Sequence, residues 1–314
     1  LLLNTICRTA KVFARAQLKD KKFVVDEMTR TPRGLKFTRG SSLPRDDVLF
    51  CGDGANDMEA MHTATLGVSL CDTEVSIAAP ITSWSRSPSA VLHVLTKGRW
   101  GLSLVYSTLH ATVLSSVIWL TQELIMLWFL TESTNCMYSV LDCYVLVLQT
   151  AILLDAPKDD LTVAQMPKHY FGWYLCYQLV PQCVIFLGFQ IIAIVILENC
   201  SFYTPYTTDD VGDVLESTAY VPTVEQNVTL GQMIIAAVLS YIGEPFRRDW
   251  TSNSLFTGLV IVGALWTVYQ CFAGGSAFAV DFLGLVETPS VLWVGVGVST
   301  KCKCRTVLHR QGMD

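Results

Sequence analysis

The sequence predicts a small α/β domain followed by an all-α bundle of six transmembrane helices. Three observations predict it. First, 51% of the 314 residues are hydrophobic and only 16% are charged, against about 25% charged in an ordinary soluble domain. Second, charge is divided unevenly: residues 1–100 hold 14 Lys+Arg and 10 Asp+Glu, and residues 101–314 hold 8 and 17. Third, a short apolar run leads into a turn rich in Gly, Asp and Asn within the first hundred residues, as strands of open α/β sheets do. The domains expected are 1–100, cytosolic; 101–300, membrane-embedded; and 301–314, a basic cytosolic tail.

In the first domain, Val48-Leu49-Phe50-Cys51 reads as a buried strand. It feeds Gly52-Asp53-Gly54-Ala55-Asn56-Asp57, and a helical stretch with Met58, Ala60 and Met61 follows. Glycines allow a sharp turn at the end of a strand, where ligands of open α/β sheets bind. Asp53 and Asp57 offer hard oxygen ligands suited to Mg²⁺. Asn56 can donate to a phosphoryl oxygen, and a cation with donors around a phosphoryl group is what phosphoryl transfer requires.

A helix of about 20 apolar residues crosses a bilayer. Six candidates follow Gly101, near 103–130, 137–156, 172–197, 228–243, 254–272 and 277–299. The fourth is short, and Asp281, Glu287 and Pro289 interrupt the sixth. Basic residues alternate between successive loops. Lys158, Lys168, Arg247, Arg248 and the tail share one side, and the acidic loop containing Asp209, Asp210, Asp213, Glu216 and Glu225 lies on the other. The positive-inside rule then places both ends of the bundle in the cytosol. Two glycosylation sequons, at Asn199 and Asn227, fall in that acidic loop.

Other classes are disfavoured. No basic stripe with interleaved aromatics points to a nucleic-acid partner. The eleven cysteines form no CxxC pair and no zinc-spaced cluster. Cys302 and Cys304, in a basic tail, are candidates for palmitoylation. His110 reads as a packed or interfacial histidine. Trp119, Trp128, Trp173 and Trp293 read as span packing and interface belts.

The GDGxND hexad resembles the hinge of haloacid-dehalogenase-like phosphotransferases. Six spans after it fit the P-type ATPases rather than a soluble phosphatase. Gly67-Val68-Ser69-Leu70, Glu74 to Ser83 with its AAPITS run, Val12-Phe13-Ala14-Arg15, and Gly243-Glu244-Pro245-Phe246-Arg247-Arg248 with Thr251, Asn253 and Phe256 look like type V P-type ATPases, subgroup B, the polyamine-transporter-like pumps. A type IV lipid flippase shares GDGAND but not the AAPITS run or the GEPFRR segment.

The resemblance implies a partial haloacid-dehalogenase-like (Rossmann-like) phosphorylation domain in residues 1–100, with spans equivalent to helices five to ten behind it. It implies that Asp53 coordinates Mg²⁺ with Asp57 in support, and that Asn56 and Lys21 contact the phosphorylated group, with Lys19 and Lys22 as neighbours. It implies that Asp142 lines a cation path. Where the family has a glutamine, this sequence has Trp119; Gln122 and Glu123 follow on nearly the same face and are candidates to replace it. The stretch from Thr29 to Pro44 looks like a basic insertion. No DKTGT motif occurs, and the actuator loop, the nucleotide-binding domain and the first four spans have no counterpart here. The expectation is therefore the C-terminal part of an ATP-driven cation or polyamine transporter in an endolysosomal or vacuolar membrane. ATP would be bound by regions outside this chain, the rest of the pump would be a partner, and the chain alone would be inactive. A truncated, non-catalytic membrane protein, or one half of a split pump, is the alternative.

Overall fold

A computed structural model of the chain describes residues 6–7, 9–29, 47–71, 79–155, 157–158, 173–205, 219–272, 280 and 283–286. The chain forms two compact units, Leu1–Gly98 and Arg99–Asp314.

In the first unit, helix α1 (Leu18–Thr29) precedes strand β1 (Leu49–Gly52), a 3₁₀ turn (Ala55–Asp57), helix α2 (Met58–Thr63), strand β2 (Leu66–Ser69) and strand β3 (Ile81–Thr82). The strands are all parallel in the order β1-β2-β3, with Leu49 opposite Leu66 and Val68 opposite Ile81. The sequence explains this arrangement. Parallel strands need a crossover between them, and the segment Ala55–Thr63 supplies one, with Ala60 and Met61 buried beneath it. Val68 and Ser69 are wholly buried, as a central strand requires. Helix α1 packs on α2 and buries Val25. Lys22 pairs with Glu59 at 3.2 Å across that contact.

The second unit is helical. Helix α3 (Ser89–Trp128) begins in the first unit and ends in this one. It is followed by α4 (Asn135–Leu153), α5 (Trp173–Glu198), α6 (Tyr220–Ser240) and α7 (Ser254–Phe272). Helix α3, with 40 residues, is about 60 Å long at 1.5 Å per residue, twice a hydrocarbon core. Thr134 caps α4 by accepting from the Met137 amide at 3.3 Å, as hydroxyl residues commonly do.

Among the described residues, four helices are long and apolar enough to cross a membrane: α3, α4, residues Cys176–Glu198 of α5, and α7. Two expectations change. Helix α6 starts at Tyr220 instead of near 228, so Glu225, Gln226 and Asn227 lie inside a helix and not in a loop. These side chains lower its apolarity, and α6 is not among the four. The predicted sixth span falls almost wholly outside the described residues, as do the 29–44 insertion after Thr29 and the tail with Cys302 and Cys304.

Apolar layers hold the bundle. One contains Leu114, Ile118, Leu141, Phe186, Leu230 and Met233. A second contains Met126, Ala193, Ile194, Leu197, Val221 and Val224. A third, around Ile152, Tyr241 and Phe256, brings α4, α6 and α7 together. Helices α4 and α7 approach closely at Gly263, where a Cβ would overlap the Tyr144 hydroxyl, and that hydroxyl donates to the Leu259 carbonyl at 2.9 Å. Small residues at such crossings let membrane helices pack tightly.

Candidate functional site

The end of β1 carries the first candidate site. Position 52, the last of β1, has no room for a side chain: a Cβ there would lie 2.6 Å from the Asp57 side chain. Asp57 ends the 3₁₀ turn and is buried, and its Oδ1 accepts from Lys21 Nζ at 2.6 Å. The structure thus joins two residues singled out separately, 36 positions apart. Asp53 and Asn56 are exposed beside them. A cavity of about 480 Å³ opens here, lined among others by Phe13, Lys21, Val25, Phe50, Asp53 and Asp57.

The electrostatics of the turn are negative. The Cys51 thiol is pushed up by burial first, and then by the Asp53 and Asp57 carboxylates. Among the described residues no three His, Cys, Asp or Glu side chains converge as a metal cluster. Mg²⁺ does not need one, because it is commonly held by one or two carboxylates, with water and phosphate completing the shell. The residues present fit that pattern. Asp53 is open to a ligand, and Asp57 is fixed by Lys21 and tucked against Gly52.

The second candidate set lies in the bundle, and the structure divides it. Asp142 is exposed on α4 and makes no hydrogen bond or ion pair among the described residues. Glu123 is half-buried and accepts from the Tyr138 hydroxyl at 3.0 Å, one helical turn before Asp142. Gln122 faces the interior, fully buried, with its amide nitrogen 3.5 Å from Ser133 Oγ. Trp119 packs against Tyr138, ring centroids 6.5 Å apart. His110 is buried against Gln182 at 3.0 Å, a packed histidine as read from the sequence.

The sequons separate too. Asn199 is exposed just after α5. Asn227 is 3% exposed within α6 and donates to the Thr223 carbonyl at 3.1 Å. A glycan needs an accessible side chain outside the bundle, so the reading of Asn227 as an acceptor is withdrawn.

Sequence reasoning missed two residues. Arg247 was read only as a basic loop residue of the GEPFRR segment. It is fully buried and donates to the Ile242 carbonyl at 2.7 Å, the Ile152 carbonyl at 3.2 Å and Ser107 Oγ at 2.8 Å. Its guanidinium stacks 4.0 Å from the Tyr241 ring centroid, and Asp155 lies 3.8 Å away. Burial pulls the guanidinium pKa down, while Tyr241 and Asp155 oppose that shift. Glu225 was read as loop acidity and is wholly buried. A period was visible in retrospect: Glu225, Thr229 and Gln232 recur at helical spacing.

Comparison with known proteins follows the same lines. No protein-family model matches the chain. The chain is similar to the probable cation-transporting ATPase catp-6 of Caenorhabditis elegans, 25% identical over 291 residues, covering 92% of this chain and 22% of that protein. It is similar to the mouse polyamine-transporting ATPase 13A2, 27% identical over 84% of this chain and 22% of that protein. It is also similar to the vacuolar cation-transporting ATPase YPK9 of Saccharomyces cerevisiae, 27% identical over 81% of this chain and 16% of that protein. The chain therefore spans about a fifth of the length of the curated relatives it matches. Over most of its length, this chain matches type V P-type ATPases, the cation- and polyamine-transporting branch of the P-type pumps.

Proposed function

We propose that this chain is the C-terminal part of an ATP-driven cation or polyamine transporter working through an aspartyl-phosphate cycle. The observation that carries the reading is the Lys21–Asp57 ion pair of 2.6 Å at the end of β1, beside exposed Asp53 and Asn56. A lysine, two carboxylates and an amide around one turn are the groups that a phosphorylated aspartate with its metal would need.

In this reading Asp53 holds Mg²⁺ with Asp57 in support, and the metal supplies charge neutralisation at the phosphoryl oxygens. Lys21 has two tasks. It neutralises buried Asp57 and keeps an ammonium at the mouth of the cavity, where a phosphoryl group would meet it. Asn56, exposed on the turn, is free to donate to a phosphoryl oxygen. The nucleophilic aspartate, the ATP site and the actuator would belong to segments outside this sequence, so the chain alone forms no phosphoenzyme.

In the membrane, Asp142 with Glu123 and Gln122 forms the proposed cation path. A carboxylate on a membrane helix costs about 2.5–3.5 kcal/mol on insertion scales and is seldom idle. Helices α3 and α4 carry all three, with Tyr138 tethering Glu123 near Asp142. The membrane proposed is endolysosomal or vacuolar; one relative is named vacuolar.

The test is made on the product of the complete transcript, read as one RNA molecule through Leu1. The reading expects an in-frame DKTGT upstream and Mg²⁺-dependent, polyamine-stimulated ATP hydrolysis in membranes, abolished by Asp53→Asn. A stop codon just upstream of Leu1, or full activity in Asp53→Asn, refutes it. Phosphoenzyme formed by residues 1–314 alone refutes the inactivity of this part.

A further inference from the structure

We infer that residues 283–286 form a strap that seals the end of the bundle where α4 and α6 begin, and that its release opens the seam between those two helices to solvent while the bundle stays folded. The strap falls within the stretch whose apolarity suggested a sixth span, yet residues 284–286 are not helical. Non-helical backbone is tolerated in a membrane protein only where protein or water satisfies its polar groups. Here two threonine hydroxyls do so.

Each hydroxyl works in both directions. Thr134 Oγ1 caps α4 by accepting from the Met137 amide at 3.3 Å, and it donates to the Leu283 carbonyl at 2.8 Å. Thr223 Oγ1, in the first turn of α6, donates to the Ala219 carbonyl at 3.1 Å and accepts from the Val286 amide at 3.0 Å. The strap thus ties the starts of two helices together. Gly284 sits between the two ties with φ +69°, and a Cβ there would lie 2.7 Å from Thr134 Cγ2. Only glycine meets both demands. Leu283 and Leu285, on either side of it, are each 2% exposed and cluster with Met137, beside Cys136 and Val140.

What lies beneath does not depend on the strap. Gln226 Nε2 donates to the Met137 carbonyl at 3.2 Å and so joins α6 to α4 directly. The three apolar layers of the bundle contain no strap residue. The strap itself carries no charged side chain and no cysteine. A segment held by a few local bonds and two apolar side chains opens without global unfolding. Release also brings water to the Met137 seam, where Gln226 Oε1 is buried without a hydrogen-bond partner among the described residues. The device uses neither Asp142 nor the β1 turn, and it does not rest on the pump reading.

Cys136 reports on the strap, because it packs against the cluster that the two leucines complete. Cys143, exposed two turns further along α4, is the reference thiol. The full 314-residue chain, purified in detergent, is treated with N-ethylmaleimide at urea concentrations below the unfolding transition, and both cysteines are followed by peptide mass spectrometry. The inference expects Cys136 to react more than about tenfold more slowly than Cys143. Its rate should barely change with urea, since a small opening exposes little surface. Thr223→Val removes one tie and should speed Cys136 about fivefold, the size of one net hydrogen bond. Gly284→Ala cannot keep the turn and should bring Cys136 close to the rate of Cys143. Should Gly284→Ala fail to fold, Thr223→Val decides alone. Reaction of Cys136 as fast as Cys143 in the parent chain overturns the inference. So does reaction only as urea unfolds the bundle, or an unchanged Cys136 rate in Thr223→Val.

Discussion

Replacing Arg247 with Ala tests what holds the bundle together at one end. The guanidinium joins Ser107 of α3, the Ile152 carbonyl of α4 and the Ile242 carbonyl just after α6. It also faces Asp155, whose Oδ2 accepts from the Tyr241 hydroxyl at 2.6 Å. Removing one partner of a buried charged pair costs about 3–5 kcal/mol, because the other charge stays behind. A domain of 150–250 residues loses roughly 2–4 °C of melting temperature per kcal/mol. The second unit should therefore melt about 6–20 °C lower in Arg247→Ala. Arg247→Lys should fall between, since an ammonium cannot present a planar fork to three acceptors on three elements. The assay is thermal unfolding in detergent followed by a thiol-reactive dye, which partly buried cysteines such as Cys183 and Cys271 make possible. Arg247→Met combined with Asp155→Asn removes both charges and should recover part of the loss. A melting temperature for Arg247→Ala within about 2 °C of the parent would refute the reasoning, since that is less than 1 kcal/mol on the same scale.

Further outcomes follow from the same structure. Lys21→Ala leaves Asp57 buried without its partner and should cost the first unit about 1–3 kcal/mol, seen as faster proteolysis of residues 1–98 within the whole chain. Gly52→Ala forces a Cβ into the Asp57 side chain and should disturb the turn at least as much; normal protease resistance would contradict that. Cys51, held protonated by burial and by Asp53 and Asp57, should alkylate more slowly in the folded chain than in the unfolded one. Its rate should climb with pH through a higher midpoint, and Asp53→Asn should speed it. Asn227→Gln should leave the glycosidase-sensitive fraction of the protein unchanged, because Asn227 is buried in α6.

The legible parts of this chain were those where short-range pattern and chemistry agree. The run from Val48 to Cys51 and the turn to Asp57 could be read because an apolar strand, two glycines and two carboxylates sit within ten residues. The spans of α3, α4, α5 and α7 could be read because apolar composition over some twenty residues has few other uses in a protein. The pairing of Lys21 with Asp57 was not legible, since it bridges 36 positions and depends on α1 docking against α2. Helix α6 was misplaced for a physical reason. Hydropathy averages over all faces of a helix, whereas burial inside a bundle is decided face by face. Thr223, Glu225, Gln226, Asn227, Thr229 and Gln232 are all buried, yet they pull the average below what a span displays.

The three buried charges of the described residues contrast in a way that bears on Glu225. Asp57 meets Lys21 at 2.6 Å. Arg247 has three oxygen acceptors and a carboxylate. Both are compensated within the chain, as buried charges must be if they serve architecture. Glu225 alone has no such compensation among the described residues. If it served architecture, a donor on a facing helix would be expected, and Gln122 and Gln190 could provide one from the amide nitrogen. Those nitrogens are instead spent on Ser133, on the Ile118 carbonyl and on residues of α6, which leaves the oxygens of both glutamines without donors. Replacing Glu225 with an apolar residue of similar size should therefore raise the melting temperature of the bundle, and an unchanged or lower melting temperature would contradict this account of an uncompensated buried carboxylate.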